Sequence, residues 1–283
     1  MKKWVFVLLV GFVMVGCQAH EPSRELTGVS VAQGVEGPQE YEQVQVSQEQ
    51  VFQGKLILVN KDHPVGPSSV QPDIVSLFEQ EELSTHAVLL DNSARLSQSV
   101  GEAFASMVRA ASGERINHFA ITSGYRDHDE QQALYQQMGP DYALPPGFSE
   151  HNTGLALDIG STQGDMNQAP EGTWLRKNAW KYGFVERYPQ DKVAITGIEF
   201  EPWHYRYVGL PHSAIMQQKG MVLEEYWDYV EEQGSLSATV DGQVFELYYY
   251  SISDTTTIPV PSGRLYDISG NNRGGVLVTV FPE

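Results

Sequence analysis

The chain has 283 residues, which is enough for one sizeable core together with a leader, a linker and a small accessory module. Lysine and arginine total 18 against 36 aspartates and glutamates, and the formal net charge of -18 repels phosphates, which excludes a nucleic-acid partner. The single cysteine, Cys17, excludes an intrachain disulfide framework and a cysteine nucleophile in the body of the protein.

The start of the chain has the pattern of an export signal. A basic Met-Lys-Lys start precedes an apolar run at 4–15, which is too short to span a bilayer. The run ends in Met-Val-Gly-Cys, similar to a lipobox, in which small residues precede a lipidated cysteine. We predict a lipoprotein signal peptide at 1–17 and an extracytoplasmic protein held at the bacterial membrane by a lipid on Cys17. Cleavage elsewhere, with Cys17 incidental, is the alternative.

Residues 18–53 are rich in Gln, Glu, Ser, Val and Gly and show no sustained apolar periodicity. Such a composition buries too little apolar surface to order itself. The sequence therefore predicts a flexible tether between the lipid anchor and the folded body.

The first half of the folded body is predicted to contain two strands and two helices. A strand at 55–60 is followed by a helix whose apolar residues recur at helical spacing from Leu96 to Ala111. A strand at 118–123 then leads through a turn to a helix that begins near Asp127, with a capping-box pattern at its start.

The second half adds strands and helices without a regular βαβ period. Leu155–Ile159 alternates like a half-buried strand, with Asp158 on the face opposite the leucines. A helix at 174–182, a strand at 204–208 and a helix at 223–232 follow. This irregular mixture favours the α+β class over a doubly wound sheet. We assign 54–233 to one domain.

The sequence changes in character at 234–283. A hairpin turn at 240–243 joins two alternating runs, and further strands are predicted at 248–250 and 276–280. We interpret this segment as a small β module. A segment of this size is marginal on its own, so it is expected to pack on the larger domain.

His151, Asp158 and His204 form a candidate metal site. His151 lies in a loop that enters the strand carrying Asp158, so the imidazole can fold back beside the carboxylate. Two histidines and one carboxylate are the three-ligand set of a catalytic zinc ion, whose water becomes a nucleophile near neutral pH. The His–Asp pair alone would better fit a surface histidine and an aspartate at a strand end. The third segment, 201–204, shifts the balance to the metal.

Two charged residues supply the remaining chemistry. Glu201 lies close to His204 in the chain, where its carboxylate can take a proton from the attacking water and pass it to the leaving amine. Arg126 follows a predicted strand, and its guanidinium can bind an oxyanion or a substrate carboxylate. A surface salt bridge is the alternative for Arg126, and core packing is the alternative to a pocket wall for Trp203.

Three segments carry these residues: Ser-Gly-Tyr-Arg at 123–126, Ser-Glu-His-Asn-Thr-Gly-Leu-Ala-Leu-Asp at 149–158 and Glu-Pro-Trp-His-Tyr-Arg-Tyr-Val-Gly at 201–209. Together they resemble the three motifs of the VanY-type D-alanyl-D-alanine carboxypeptidases, in the same order and with similar spacing. The resemblance extends over about 55–230. It implies an α+β, small antiparallel-sheet metallopeptidase fold, of the kind shared with the VanX dipeptidases and the Hedgehog signalling domain.

The resemblance also implies roles for individual residues. The family's zinc ligands fall on His151, Asp158 and His204, its general base on Glu201, and the arginine that stabilises charge on the scissile carbonyl on Arg126. Further residues are expected to contact substrate or to lie near the pocket: Ser149, Tyr125, Gln131 and Trp203.

The expected function is zinc-dependent removal of the terminal D-Ala from peptidoglycan stem peptides, in the domain at 54–233. An L,D-carboxypeptidase acting on tetrapeptide stems is the closest alternative, because the metal ligands are common to both specificities. The intact Glu201 disfavours a non-catalytic wall-binding lipoprotein. A serine-type carboxypeptidase is excluded, because no serine is followed by lysine in a Ser-x-x-Lys pattern. For 234–283, covering a hydrophobic flank is favoured over binding wall polymer.

Overall fold

The computed structural model of the protein describes residues 28–35, 40–139 and 143–283. The predicted signal peptide with Cys17, and the tether before residue 28, lie outside these ranges. Among the helices of the described ranges, none is long and apolar enough to cross a membrane.

The described residues form a mixed α+β structure. The strands are β1 (Val29–Gln33), β2 (Tyr41–Val46), β3 (Ile74–Ser76), β4 (Val88–Leu89), β5 (Arg95–Ser97), β6 (Phe119–Ser123), β7 (Ala156–Ser161), β8 (Phe184–Glu186), β9 (His204–Tyr207), β10 (Ser235–Val240), β11 (Gln243–Ser251), β12 (Thr256–Pro261), β13 (Tyr266–Gly270) and β14 (Gly275–Val280). The α-helices are α1 (Glu81–Ser84), α2 (Gln98–Gly113), α3 (His128–Met138), α4 (Pro170–Asn178), α5 (Val193–Thr196), α6 (His212–Lys219) and α7 (Leu223–Gln233). Short 3₁₀ turns lie at Gln48–Phe52, Glu150–Thr153, Ala179–Tyr182 and Gln190–Lys192.

The central sheet, which we call the site sheet, has the strand order β4-β6-β7-β9-β8. Its neighbouring strands are antiparallel except for the short β4–β6 pair, which is parallel. Leu157 and Ile159 of β7 join the core cluster that includes α2 and α4, whereas Asp158 lies on the other face. The predicted α+β class and the predicted alternation of β7 are both confirmed.

The second region, which we call the β module, is a five-stranded sheet of order β1-β10-β11-β14-β13 with the β2–β12 pair beside it. Two of its strands come from residues predicted as tether. Val29 on β1 lies across from Val240 on β10, and Val46 on β2 lies across from Thr256 on β12. The prediction of a flexible tether is therefore wrong for β1 and β2, because these short runs are ordered by backbone partners from the far end of the chain.

The predicted strand at 55–60 is also absent. Leu56, Ile57 and Leu58 are fully buried, but only Asn60 takes part in a β-bridge, with His63. The apolar run indicated burial correctly. Its carbonyl oxygens accept hydrogen bonds from the side chains of Trp227, Arg206 and Asn272 instead of from a neighbouring strand.

The β module packs on the larger domain through a shared core. One cluster of buried side chains draws on both regions, including Leu56, Val208 and Trp227 from the domain and Phe245 and Leu277 from the module. The structure thus shows the packing expected for so small a module, and it shows that the apolar flank of the domain is covered.

Candidate metal centre and active site

Three neighbouring strands bring the candidate residues onto one face of the site sheet. Asp158 on β7 lies directly across from His204 on β9 and from Ser123 at the end of β6. Side chains directly opposite each other on paired strands have Cβ atoms about 4.5–5.5 Å apart. Residues that are distant in sequence are therefore placed side by side by the register of the sheet.

His151 reaches the same place from a tight turn before β7. The turn, Glu150–Thr153, is capped by Ser149, whose hydroxyl accepts a hydrogen bond from the His151 amide at 3.3 Å. It ends at Gly154, whose φ of +82° favours glycine. This reversal directs the chain into β7 and leaves the His151 imidazole beside Asp158.

The three predicted ligands have the arrangement that a metal ion requires. Their donor atoms all lie within 4.8 Å of one another. Asp158 Oδ1 is 3.3 Å from His151 Nε2 and 3.0 Å from His204 Nδ1. This oxygen is buried and has no hydrogen-bond partner in the described part of the chain. Two imidazole nitrogens converging on an otherwise unsatisfied carboxylate oxygen fit a zinc ion.

Neighbouring acceptors orient both histidines. His151 Nδ1 lies 2.7 Å from the carbonyl oxygen of Gly124, and donation to that oxygen leaves Nε2 free for the cluster. His204 Nε2 lies 3.4 Å from Oε2 of Glu150, which leaves Nδ1 free. Hydrogen bonds of this kind fix the tautomer of metal-binding histidines. Glu150 was not among the predicted site residues, although it lies inside the motif at 149–158.

The charges of the cluster favour a bound cation. Burial raises the pKa of Asp158, but His151 and His204 outweigh it and hold this pKa far below its usual range. Burial lowers the pKa of His204, but the neighbouring carboxylates of Asp158 and Glu150 outweigh it and raise this pKa to about 9. Burial lowers the pKa of His151. Asp158 is thus an ionised carboxylate, which is the form in which an aspartate can bind a divalent cation.

Glu201 lies beside the three ligands. Its Oε2 is 3.8 Å from His204 Nδ1. Burial raises the pKa of Glu201, and Asp158 raises it further, while His204 and Arg126 oppose the shift. A carboxylate with a raised pKa is suited to accept and then release a proton near neutral pH.

Arg126 is held in place by two side chains from its own segment. Its guanidinium donates to Ser123 Oγ, and to Gln131 Oε1 at 2.9 Å. Gln131 in turn donates to the carbonyl oxygen of Leu144 at 2.7 Å, and its side chain is only 1% exposed. Gln131 was predicted near the pocket, and its contacts show that it positions Arg126. Burial lowers the pKa of Arg126, and the opposing effect of the nearby carboxylates Asp158 and Glu201 only partly offsets this.

The other predicted substrate contacts occupy different environments. Ser149 is buried as the cap of the His151 turn, and the half-buried Tyr125 ring lies 5.0 Å from the Arg95 guanidinium. Trp203, next to His204, is 39% exposed and therefore lies outside the core. Its exposed indole lies next to a candidate metal ligand, and its role as a pocket wall stays a prediction.

The fold and the site together define the class of the VanX and VanY metallopeptidases. The vancomycin-resistance D,D-dipeptidase VanXYg, solved with a D-Ala-D-Ala phosphinate analog, superposes with a TM-score of 0.75 at 32% identity, covering 86% of this chain and 99% of that chain. A mutant of the D,D-pentapeptidase VanY from a VanB-type resistance cassette, solved with Zn(II), has a TM-score of 0.51 at 29% identity, covering 61% of this chain and 98% of that chain.

Sequence comparison specifies the family. The VanY family, described as D-alanyl-D-alanine carboxypeptidase, matches residues 93–210. A D-alanyl-D-alanine carboxypeptidase from Enterococcus faecium is 53% identical over 237 residues, which cover 84% of this chain and 78% of the relative. This chain belongs to the VanY family of D-alanyl-D-alanine carboxypeptidases.

Proposed function

We propose that the protein is a zinc-dependent carboxypeptidase that removes the terminal D-Ala from peptidoglycan stem peptides ending in D-Ala-D-Ala. The observation that carries this proposal is the convergence of the His151, Asp158 and His204 donor atoms within 4.8 Å. The carboxylate of Glu201, 3.8 Å from His204, provides the second catalytic group. The relative from Enterococcus faecium and the VanY structure with Zn(II) support the substrate and the metal.

Each residue then has a distinct task. His151, Asp158 and His204 would hold a zinc ion, and the ion would supply Lewis-acid chemistry for water and the scissile carbonyl. Glu201 accepts the proton of the attacking water and transfers it to the amine of the leaving D-Ala. Arg126, fixed by Ser123 and Gln131, stabilises negative charge that develops on the carbonyl oxygen.

Incubation of purified enzyme with pentapeptide and tetrapeptide stems, followed by mass spectrometry, tests this function. We expect loss of one alanine from the pentapeptide, no change in the tetrapeptide, insensitivity to penicillin, and no cleavage after treatment with a chelator. Cleavage of the tetrapeptide alone would move the assignment to the L,D-carboxypeptidase, whose metal ligands would be the same.

We also propose that the enzyme works outside the cytoplasm, held at the membrane by a lipid on Cys17. The apolar run at 4–15 and the lipobox-like Met-Val-Gly-Cys support this proposal. Metabolic labelling with a fatty-acid analogue should label the wild type and leave Cys17→Ser unlabelled. Equal labelling of both proteins would disprove lipidation at Cys17.

A further inference from the structure

A buried group of charged side chains lies against the ring nitrogen of His204 that does not face Asp158. At its centre is Glu150, whose side chain is completely buried. Glu150 Oε1 accepts hydrogen bonds from Arg187 Nε at 2.8 Å and from Arg206 Nη1 at 2.7 Å. The other oxygen, Oε2, is the atom 3.4 Å from His204 Nε2. The carboxylate therefore joins two arginines to one candidate metal ligand.

The two arginines are themselves fixed. Arg187 also donates to both carboxylate oxygens of Glu224, at 2.8 and 2.7 Å. Arg206 also donates to the carbonyl oxygens of Lys55 and Ile57, at 2.9 and 2.8 Å. Two guanidinium groups thus face two carboxylates, and Arg206 is tied in addition to the backbone at 55–57. Glu150 is held as a carboxylate whose orientation its neighbours determine.

This orientation restricts the chemistry available to His204. Because Oε1 is occupied by guanidinium donors, Oε2 is the oxygen that faces the imidazole, and an ionised carboxylate can only accept a hydrogen bond there. His204 Nε2 must therefore carry the hydrogen, which leaves the lone pair of Nδ1 available to a metal ion held by Asp158 and His151. An ion pair that only stabilised the fold would be complete with Arg187 and Arg206 and would not need the contact between Glu150 and His204.

We propose that Glu150 is a positioning residue for the metal site: it holds His204 in the tautomer and ring orientation that present Nδ1 to the metal. The proposal rests on the zinc site of the proposed function. Partners of this kind typically contribute 10–100-fold to metal affinity. The same residue ties the site, through Arg187 and Glu224, to helix α7.

Replacement of Glu150 by its isosteric amide is the sharpest test. In Glu150→Gln the arginines favour the amide oxygen on their side, which turns the amide NH₂ group toward His204 Nε2. Two donors then face each other whenever Nδ1 binds zinc. We expect zinc release to a chelator to be about 10–100-fold faster than in wild type. In ¹⁵N-labelled, zinc-loaded protein we expect the downfield, slowly exchanging Nε2–H signal of His204 to be lost.

Two further variants separate positioning from stability. Glu224→Gln makes the same chemical change on the far side of Arg187 and leaves the Glu150–His204 contact intact, so zinc release and the His204 signal should stay as in wild type even if the protein is less stable. Glu150→Asp keeps the charge that the arginines require but shortens the side chain by one methylene. Glu150→Asp should remain folded and still release zinc faster than wild type. If Glu150→Gln does not fold, the zinc release of Glu150→Asp tests the positioning role of Glu150.

The outcomes are distinct. Wild-type zinc release in both Glu150 variants would overturn the positioning role, as would acceleration in Glu224→Gln equal to that in Glu150→Gln, since general loosening would then explain both. A wild-type protein that holds no zinc after metal loading would instead overturn the zinc site of the proposed function.

Discussion

The site sheet and the β module are both built on five-stranded sheets, but they bury different chemistry. The middle of the site sheet carries ionisable groups on adjoining strands and turns, including Asp158, His204 and Arg206. In the module, the six residues of β14 are all buried and most are aliphatic. Burying the charged groups of the site sheet costs folding free energy, and their pairing serves the chemistry of the site. The β module instead stabilises the fold by burying apolar side chains. Substitutions should therefore affect zinc and turnover in one region and folding in the other.

The largest effect is expected from removing a metal ligand. His204→Ala or Asp158→Ala should abolish both zinc binding and activity, because two protein ligands do not retain the ion in a catalytic site. Metal analysis by mass spectrometry of the purified variants, beside wild type, measures this directly. Stoichiometric zinc in both variants would show that the ligand set is wrong.

Removing Glu201 should separate binding of the metal from turnover. Glu201→Ala is expected to keep its zinc and its melting temperature while kcat falls about 10²–10⁴-fold, the usual contribution of a general acid–base group. Arg126→Ala should likewise retain zinc, since neither residue is among the ligands. A kcat near that of wild type in Glu201→Ala would contradict the role given to this carboxylate.

In the module, truncating a core side chain should destabilise the fold without touching the chemistry. Leu277 on β14 is 1% exposed and belongs to the cluster shared with the larger domain. Leu277→Ala should lower the free energy of unfolding by about 2–5 kcal/mol. The matched control is Val244→Ala on β11, where the side chain is 46% exposed and the expected change is within about 0.5 kcal/mol.

Urea denaturation gives the free energy of unfolding of both module variants. The activity of both variants on soluble peptide at low temperature should stay at the wild-type level. A loss of activity in folded Leu277→Ala would show that the module shapes the site as well as covering the domain.

The smallest effect concerns a buried histidine where the two regions meet. His212 on α6 lies 2.7 Å from the Tyr226 hydroxyl and 3.1 Å from the Thr279 hydroxyl on β14. Burial, assisted by Lys55, lowers its pKa to about 3. Because this pKa is below the unfolded value of about 6.5, the fold disfavours the charged form. Above about pH 6.5 His212 is neutral in both the folded and the unfolded state, so the stability of the fold is complete. As the pH falls toward 3 the unfolded chain takes up a proton that the buried His212 does not, and the fold loses stability.

Urea unfolding at pH 7 and pH 5 detects this dependence. Between these values the wild type should lose about 2 kcal/mol more than His212→Gln, which keeps a donor and an acceptor but does not titrate. The carboxylates elsewhere titrate in both proteins and cancel in the difference. Equal losses in the two proteins would exclude His212 as the source.

The sequence by itself identified the family, the α+β class and the group of His151, Asp158, His204 and Glu201 as the candidate site. This was possible because the residues lie in contiguous motifs, and because the alternation around Asp158 already separates its core face from its open face. The helix after Asp127 was equally readable, since its cap and its capping-box partner are close neighbours in the chain.

Only the tertiary structure decided features whose partners lie far away in the chain. β1 forms because Val29 meets Val240. The run at 56–58 is buried without a strand partner because its carbonyl oxygens accept hydrogen bonds from the side chains of Trp227, Arg206 and Asn272. Glu150 stood inside a recognised motif, but its contacts with His204, Arg206 and Arg187 depend on how β7, β9 and β8 pair. Local pattern reports which side chains avoid water, whereas long-range pairing decides which atoms satisfy each hydrogen bond.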